Sequence, residues 1–524
     1  MSASSKKMLR KEQADAKMTE KQLAEQKEAK KLKLYTTAFV AVIAIVLVIA
    51  ISVGITQTIA NSGIREKNTV ALTVGNHEVS NAELGYYYID SINNFNSQYG
   101  SYAALFGLDT TKPLNEQFTS EGGTETWADY FINSAKDSIL SVYALNDAAA
   151  AAGHALTEEE QGIIDSNIAT LEMYGMMYGH ASGEEYLKAM YGRGATMETY
   201  RKYMEMSALA DSYYAAYGQA LTFEDADLRA FEEGKYNQFS SYNYSYYFLS
   251  ASKFEETKAA EEAANSLLGA ESVEAFNEAI AALPVNAETS DTATVCDIYP
   301  YSAISENVRE WVTADERTEG DMTVIANTAT STDAEGNETT TTTGYYVVRF
   351  QSRDDNNFAL KDVRHILAKF EGGTTDSATG TTTYSDEEKA AAKARAEELL
   401  ATWESGDKTE ESFAALANEK SDDGDGTTGG LYEDIYPGEM VTNFNDWCFD
   451  ANRTVGETGI VETQFGYHVM YFVGDSDITY RDYQIKSELL STEMNDWYLG
   501  LREATTIVEG NTNYVKKDIV LSQG

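Results

Sequence analysis

The sequence Val363-Arg364-His365-Ile366-Leu367 decides the fold of this chain, together with the stretch VETQFGYHV at residues 461–469. Each stretch contains one of the five histidines of the chain. An alanine-rich helix lies between them, and shorter blocks follow it in a fixed order: ESFAALA at 411–417, KSDD at 420–423, GGL at 429–431 and GEMVTNF at 438–444. One ordered pattern therefore occupies residues 363–472.

The order of these blocks resembles the parvulin-type peptidyl-prolyl cis/trans isomerases, the family of the PrsA- and SurA-like extracytoplasmic foldases. The resemblance implies an α+β domain at residues 360–475, with a four-stranded antiparallel sheet and flanking helices. It also implies isomerisation of X-Pro bonds. The barrier to that reaction, about 18–20 kcal/mol, is the loss of amide resonance as the peptide twists, and no covalent bond breaks. No cofactor or metal is therefore expected.

The resemblance also assigns residues to the site. It implies that His365 and His468 hydrogen-bond to each other from neighbouring central strands, and that Thr463 joins them. Asp423 is expected near the twisting carbonyl, with an electrostatic role. The remaining expected residues bind the proline side of the substrate: Met440, Phe444, Leu431 and Phe465.

Two positions depart from the family pattern, and each site residue also has an ordinary interpretation. Val441 stands where the family often has Gln, and Phe465 where it has a small polar residue. Without the resemblance, Met440 and Phe444 are typical core residues of an amphipathic helix, and Asp423 belongs to an acidic turn. The other three histidines, His77, His154 and His180, are interpreted as structural.

An internal repeat predicts a second copy of the domain upstream. DIYP at 297–300 recurs at 434–437, and GYYVV at 344–348 matches GYHVM at 466–470. A tryptophan follows each DIYP, with a one-residue slip. We therefore interpret residues 241–353 as a degenerate parvulin-like domain.

In this first copy the histidine positions are predicted to hold Tyr247 and Tyr346, and Ala303 is predicted at the position of Met440. The copy is therefore expected to lack isomerase activity. It is expected to bind clients through exposed aromatic residues such as Tyr242 and Tyr244. A chance DIYP match is the alternative.

The N-terminus differs from the rest in charge. Residues 1–34 hold ten Lys/Arg against five Asp/Glu, whereas the whole chain has a formal charge of −44. No charged residue lies between Lys33 and Arg65. This pattern predicts a cytoplasmic leader at 1–34, a transmembrane signal anchor at 35–59 and an extracytoplasmic body, hence a single-pass protein of the cell membrane. A signal peptide cleaved near Ala60 is the alternative. So acidic a body excludes nucleic-acid binding.

Helical patterns account for most of the remaining chain. Residues 69–240 resemble the N-terminal chaperone segment of SurA- and PrsA-type proteins, with helices predicted at 127–152 and after the capping residues Ser80 and Thr157. Residues 476–524 are predicted to be a C-terminal helix and tail that returns to the N-terminal segment. Cys296 and Cys448 occupy non-equivalent places in the two copies, so no disulfide is expected. The oligomeric state is left open.

Three functions fit these patterns. The first is a membrane-anchored extracytoplasmic isomerase that assists unfolded or partly folded secreted polypeptides with X-Pro bonds. The second is a non-catalytic chaperone built on parvulin scaffolds. The third, a structural surface protein, leaves the paired histidines unexplained. Phosphorylated substrates are disfavoured, because the loop at 369–387 contains one Lys, no Arg and several acids.

Overall fold

The computed structural model describes residues 3–15, 20–332, 336–377, 379–424 and 426–521 of the chain. The polypeptide divides into two compact units. The first consists of residues 1–221 together with residues 494–524, and the second consists of residues 222–493. The C-terminal end of the chain therefore belongs to the same unit as the N-terminal end.

The first unit begins with three helices, α1 (Ala3–Asp15), α2 (Glu20–Asn61) and α3 (Ile64–Asn68). In the described parts of the chain, no helix combines the length and the apolar character that crossing a membrane requires. The predicted transmembrane anchor at 35–59 is therefore wrong. The single-pass membrane location, which depended on that anchor, is wrong with it.

A small sheet and five helices form the body of the first unit. β1 (Val70–Val74) and β2 (His77–Ser80) pair around Gly75, whose φ of 56° suits a tight turn between them. The helices that follow are α4 (Asn81–Tyr99), α5 (Trp127–Ala152), α6 (Glu158–Met177), α7 (Gly183–Tyr191) and α8 (Met197–Ala220). α5 has the predicted bounds. The side chains of Ser80 and Thr157 accept hydrogen bonds from the backbone N–H groups of Glu83 and Glu160, which confirms both predicted helix starts.

The second unit opens with α9 (Asp225–Glu232) and a first antiparallel sheet. Its strands are β3 (Ser241–Ser250), β4 (Thr294–Pro300), β5 (Met322–Thr332) and β6 (Glu338–Asp354), in the order β4-β3-β6-β5. Helices α10 (Thr257–Asn265) and α11 (Val273–Ala281) separate β3 from β4, and α12 (Glu306–Val312) follows β4.

A second antiparallel sheet repeats this plan. Its strands are β7 (Ala359–Lys369), β10 (Leu431–Ile435), β11 (Thr458–Glu462) and β12 (Gly466–Thr479), in the order β10-β7-β12-β11. A small hairpin, β8 (Thr374–Thr375) with β9 (Thr382–Thr383), precedes α13 (Asp386–Glu404) and α14 (Glu410–Lys420). α15 (Thr442–Cys448) follows β10. Each sheet thus has two helices after its first strand and one short helix after its second.

The register of the strands relates the two sheets residue by residue. In both sheets the pairing of the first strand with the last strand shifts register at one point, between Asn243 and Tyr244 in β3 and between Asp362 and Val363 in β7, where β6 and β12 each carry one extra residue as a β-bulge. Counted from this bulge, Tyr246 occupies the position of His365. The prediction that placed Tyr247 there is therefore wrong by one residue. Tyr247 is buried on the other face of β3, among the side chains of the helices α10 and α11.

The second histidine position agrees with the prediction. Tyr346 in β6 pairs with Phe248, as His468 in β12 pairs with Leu367. The rings of Tyr246 and Tyr346 are 5.9 Å apart, so a tyrosine pair replaces the histidine pair.

The two second strands share an unusual backbone conformation. Ile298 in β4 and Asp434 in β10 have φ of 50° and 55°. The N–H of Ile298 donates to Oδ1 of Asn243 at 2.5 Å, and the N–H of Asp434 donates to Oδ1 of Asp362 at 2.9 Å. These two residues are therefore equivalent. The DIYP segments that revealed the repeat are offset by one residue from the structural correspondence.

The residue-by-residue correspondence between the two copies continues without a shift after these strands, because α12 and α15 are both seven-residue helices. Trp311 and Trp447 are equivalent, and Ile304 rather than Ala303 stands at the position of Met440. Ile304 is completely buried. The prediction that Ala303 stands at the position of Met440 is therefore wrong.

Two further expectations concern the aromatic residues and cysteines of the copies. Tyr242 and Tyr244 are each only 1% exposed, so they are core residues, and the prediction that they bind clients is wrong. Cys296 and Cys448 are buried and free.

The predicted C-terminal segment at 476–524 contains α16 (Tyr480–Ala504) and β13 (Ile507–Glu509). In the first unit, the ring of Trp497 stacks on Tyr217 of α8 at 3.7 Å. β13 pairs with β1 to complete a sheet of order β13-β1-β2. The predicted return of the C-terminal segment to the N-terminal segment is confirmed.

Candidate active site

The two central strands of the second sheet bring two histidines together. His365 lies on β7 opposite Met470, and His468 lies on β12 opposite Leu367. Side chains two residues apart on a strand share a face, so both imidazoles project from the same side of the sheet as diagonal neighbours. Their Nδ1 atoms are 3.0 Å apart. Both side chains are buried, with 2% and 5% of their surface exposed.

Hydrogen bonds continue outward from both histidines. Nε2 of His365 lies 3.2 Å from Oδ2 of Asp423, which also accepts a hydrogen bond from the hydroxyl of Tyr432 at 3.2 Å. On the other side, Nε2 of His468 lies 2.9 Å from Oγ1 of Thr463. That oxygen accepts a hydrogen bond from the backbone N–H of Phe465 at 3.2 Å. We call these residues the histidine network.

The ends of the network fix where its protons lie. Asp423 accepts, so Nε2 of His365 carries a hydrogen, and Nδ1 of a neutral His365 is an acceptor. His468 must then donate from Nδ1, which leaves its Nε2 to accept from the hydroxyl of Thr463. With both rings neutral, every donor in the network points toward Asp423.

Burial keeps both rings neutral. Removal from water lowers the pKa of His365, although the nearby Asp423 acts in the opposite direction. Burial lowers the pKa of His468 to about 4, with a further contribution from the neighbouring His365. Burial, followed by the charge of Asp423, raises the pKa of Tyr432. The two imidazoles and the phenol of Tyr432 are therefore uncharged at neutral pH.

An open cleft of about 500 Å³ adjoins the network. Phe444 of α15 forms its floor, with its ring nearly perpendicular to His365 and His468 at 5.5 and 5.4 Å. Apolar side chains of Leu367, Met440 and Val441 line the cleft beside it. Polar and aromatic residues complete the lining: Lys369, Tyr384, Asp422, Asp423, Tyr432, Glu439, Gln464 and Phe465.

The structure brings together most of the residues expected from the sequence. His365, His468, Asp423, Met440, Phe444 and Phe465 all line the cleft. Thr463 lies behind His468 and reaches the cleft only through it. Leu431 is not part of the lining. Its neighbour Tyr432 is, because successive side chains of a strand face opposite sides.

Several lining residues were not expected from the sequence. Tyr432 has its ring 5.0 Å from His365, and its place next to Leu431 offered one signal, the alternation of side chains along β10. Lys369 and Leu367 follow His365 at intervals of two on β7, so alternation also predicts their face. Tyr384 lies far from the motifs in sequence, and no pattern indicated it.

Comparison with known families decides the identity of this region. Residues 345–474 match the family model described as the PPIC-type PPIASE domain. This part of the chain is a parvulin-type domain. The match begins at Tyr345, within β6, upstream of the boundary predicted at 360. No curated protein gives a significant match.

Solved structures of related proteins are similar to parts of the chain. PrsA from Bacillus cereus is 24% identical over 28% of this chain and 49% of its own length, with a TM-score of 0.18. The PPIase domain of TbPar42 is 21% identical over 22% of this chain and 99% of its own, with a TM-score of 0.18. PrsA from Bacillus subtilis is 15% identical over 73% and 88%, with a TM-score of 0.27. This chain therefore spans about half the length of the first of these proteins.

Proposed function

We propose that the protein is a peptidyl-prolyl cis/trans isomerase and that the cleft of the parvulin-type domain is its active site. The observation that carries the proposal is the contact between an apolar floor, Phe444, and a buried pair of neutral histidines. Proline needs an apolar surface, and the twisting amide needs hydrogen-bonding groups that do not stabilise its planar form. Both are present within one cleft.

The cleft has a role for each part of the substrate. Met440 and Phe444 hold the proline ring, and Leu367 and Val441 exclude water from the amide. Water stabilises the planar, charge-separated amide, so its exclusion favours the twisted state, in which resonance is lost. His365 and His468 define the polar wall, and Thr463 fixes the orientation of His468. Asp423 holds His365 and places a negative charge at the rim.

The substrates that we propose are X-Pro segments of unfolded or partly folded polypeptides without phosphate groups. The rim carries three carboxylates, Asp422, Asp423 and Glu439, against one amine, Lys369. Arg395, which pairs with the rim residue Asp422, is also paired with Glu371. A phosphate on the residue before proline is therefore repelled, since phosphate recognition usually takes a free Arg fork.

The test is isomerisation of a short unphosphorylated X-Pro peptide by the full chain. We expect faster exchange between cis and trans peptide, measured by NMR exchange spectroscopy. Met440→Gln puts a polar group into the cleft and is expected to lower the rate, whereas Leu499→Gln, an exposed position of α16, leaves it unchanged. Equal rates with and without protein contradict the proposal.

A second function, binding without catalysis, is favoured for the first sheet by its tyrosine pair. We propose that residues 241–353 are a degenerate parvulin-like domain, that residues 360–475 hold the activity, and that residues 69–240 are a chaperone segment. Tyr246 and Tyr346 cannot form the histidine network, because a phenol has one polar atom, whereas an imidazole has two ring nitrogens. The ring of the neighbouring Phe248 lies 4.8 Å from that of Tyr346. Phe248 is exposed on the face of the first sheet that corresponds to the histidine face of the second sheet. Such aromatic surfaces suit peptide binding.

A further inference from the structure

The tip of α6, in the first unit, exposes an unusual set of apolar side chains. Met173, Met176 and Met177 lie three and four residues apart, so they share one face of the helix. Their exposed fractions are 48%, 71% and 65%. Tyr178 at the end of the helix is 63% exposed. We call these four residues the methionine patch.

A rigid base supports this patch. Tyr186 of α7 stacks on Tyr178 with ring centres 5.6 Å apart and an angle of 12° between the planes. α6 and α7 approach closely where both have glycine. A Cβ on Gly175 would lie 2.7 Å from the backbone of Ser182, and one on Gly183 would lie 2.8 Å from the backbone of Leu171. The two helices therefore present the patch in one fixed arrangement.

The charged residues next to the patch are mostly carboxylates. α6 carries no Lys or Arg, and of its five acidic residues Glu172 lies at the patch end, next to Met173, whereas Glu158, Glu159 and Glu160 lie in its first turn, at the opposite end. At the start of α7, Glu184 and Glu185 are both paired with Lys188, at 3.0 and 2.9 Å, so these three residues keep a net negative charge. The surroundings of the patch are therefore acidic.

We infer that the methionine patch binds unstructured polypeptide segments in which apolar residues are flanked by Lys or Arg. Methionine is unbranched and polarisable, and it adapts to partners of different shape, as a surface for varied segments requires. Exposed apolar clusters with a polar rim are typical of interaction sites. Charge complementarity selects the basic flanks. A second copy of this acidic chain and an anionic membrane surface would both be repelled. This site is separate from the isomerase cleft, and it does not depend on the proposed activity.

The test compares two synthetic peptides with the same apolar residues, one flanked by Lys and one by Glu. Binding to the full chain is measured by fluorescence anisotropy. We expect the Lys peptide to bind, and its affinity to fall with added salt. The variant M173Q/M176Q/M177Q is expected to bind it at least about tenfold more weakly. Ile163→Gln, an equally exposed position of α6 outside the patch, is the matched control.

Other measurements separate the alternatives. The three methionines are exposed, so the triple variant is expected to keep its helical circular dichroism and its isomerase rate on a short prolyl peptide. Unchanged binding of the Lys peptide by the triple variant overturns the inference, as does equal binding of the Glu peptide. Binding to anionic vesicles alone, or self-association that the triple variant loses, overturns it in favour of a membrane or of a second copy.

Discussion

At the scale of single residues, the site depends on a chain of hydrogen bonds with one direction. Donors run from the backbone N–H of Phe465 through Thr463, His468 and His365 to Asp423. Each of these groups has its partner, so removing one leaves a buried neighbour without a hydrogen bond. Both the rate and the stability of the domain are therefore sensitive to each histidine.

We expect His365→Ala and His468→Ala each to lower kcat/KM for a short prolyl peptide by at least about tenfold. The burial of these side chains also predicts a loss of about 1–3 kcal/mol in the free energy of unfolding, because a polar partner is left unsatisfied. Peptide isomerisation and urea unfolding measure the two effects. His154→Ala, whose histidine contacts Ser212 outside the cleft, is the control. Full activity in both cleft variants would rule out the proposed site.

The pH dependence follows from the lowered pKa of His468, about 4 against an ordinary 6.5. Between these values the unfolded chain binds a proton at this histidine and the folded chain does not, so stability falls as the pH falls from 6.5 to 4. The shift corresponds to about 3 kcal/mol at most. We expect the activity to be constant above pH 6.5 and to decrease toward pH 4. The comparison variant is His468→Asn, whose stability is expected to vary less with pH over this window. An unchanged pH profile of unfolding in that variant contradicts the assignment.

Sequence alone indicated His365, His468, Asp423, Met440 and Phe444 as cleft residues, because these lie inside short motifs with fixed spacing. It did not identify Tyr432 or Tyr384, which reach the cleft only through the alternation of β10 and the path of the loop before α13. It misjudged Leu431 for the same reason. A motif predicts which segment of the chain forms the site. The strand pairing decides which of two neighbouring residues in that segment has its side chain facing the site.

At the scale of elements, the two sheets show why an alignment based on a shared sequence motif can be wrong by one residue. The residue with a left-handed φ is Ile298 in strand β4 of the first copy and Asp434 in strand β10 of the second copy. An alignment of the two DIYP motifs instead matches Asp297 with Asp434. The hydrogen bond from the backbone N–H of the residue with the left-handed φ to a side-chain oxygen of the neighbouring strand fixes the true correspondence. Identity of side chains revealed that a repeat exists. Only the pairing of strands gives its register.

Ile298 offers a test of this conformation. A β-branched residue with φ of 50° is strained, and such backbone strain costs of order 1–3 kcal/mol. Asn adopts this conformation more readily, and Ile298 is 55% exposed, so its replacement gives up little burial. We therefore expect Ile298→Asn to raise the free energy of unfolding by about 1 kcal/mol, measured by urea titration.

The matched control is Val295→Asn, at a 46% exposed position of the same strand without a positive φ. It is expected to destabilise slightly, because Asn is a poor strand former. Stabilisation by both substitutions, or by neither, would show that the strain at Ile298 is not the cause.

At the scale of the whole molecule, one of the two similar sheets is expected to supply all of the isomerase activity. The full chain carrying both His365→Ala and His468→Ala should therefore retain no measurable acceleration. Tyr246→Phe combined with Tyr346→Phe should leave the wild-type rate unchanged, because these hydroxyls have no place in the reaction. Peptide isomerisation measures both. Residual activity in the histidine double variant that disappears on the tyrosine changes would assign catalysis to the first sheet as well.

The large-scale organisation was predictable to different degrees. The return of the C-terminal helix followed from its amphipathic pattern and from the family resemblance, and the contact of Trp497 with Tyr217 agrees with it. The transmembrane anchor was inferred from the absence of charge over a long window. A lack of charge does not by itself make a helix apolar enough, and no described helix combines the length and the apolar character that a membrane crossing requires.

The strand order β13-β1-β2 also determines the sequence of events during translation. A ribosome adds roughly 5–20 residues per second, so tens of seconds separate the synthesis of β1 from that of β13. During this interval the outer edge of β1 lacks its partner, while residues 222–493 emerge as an uninterrupted segment. We therefore expect the nascent chain to complete its second unit first. The isomerase cleft would then be assembled on the ribosome before the protein's own N-terminal unit has closed.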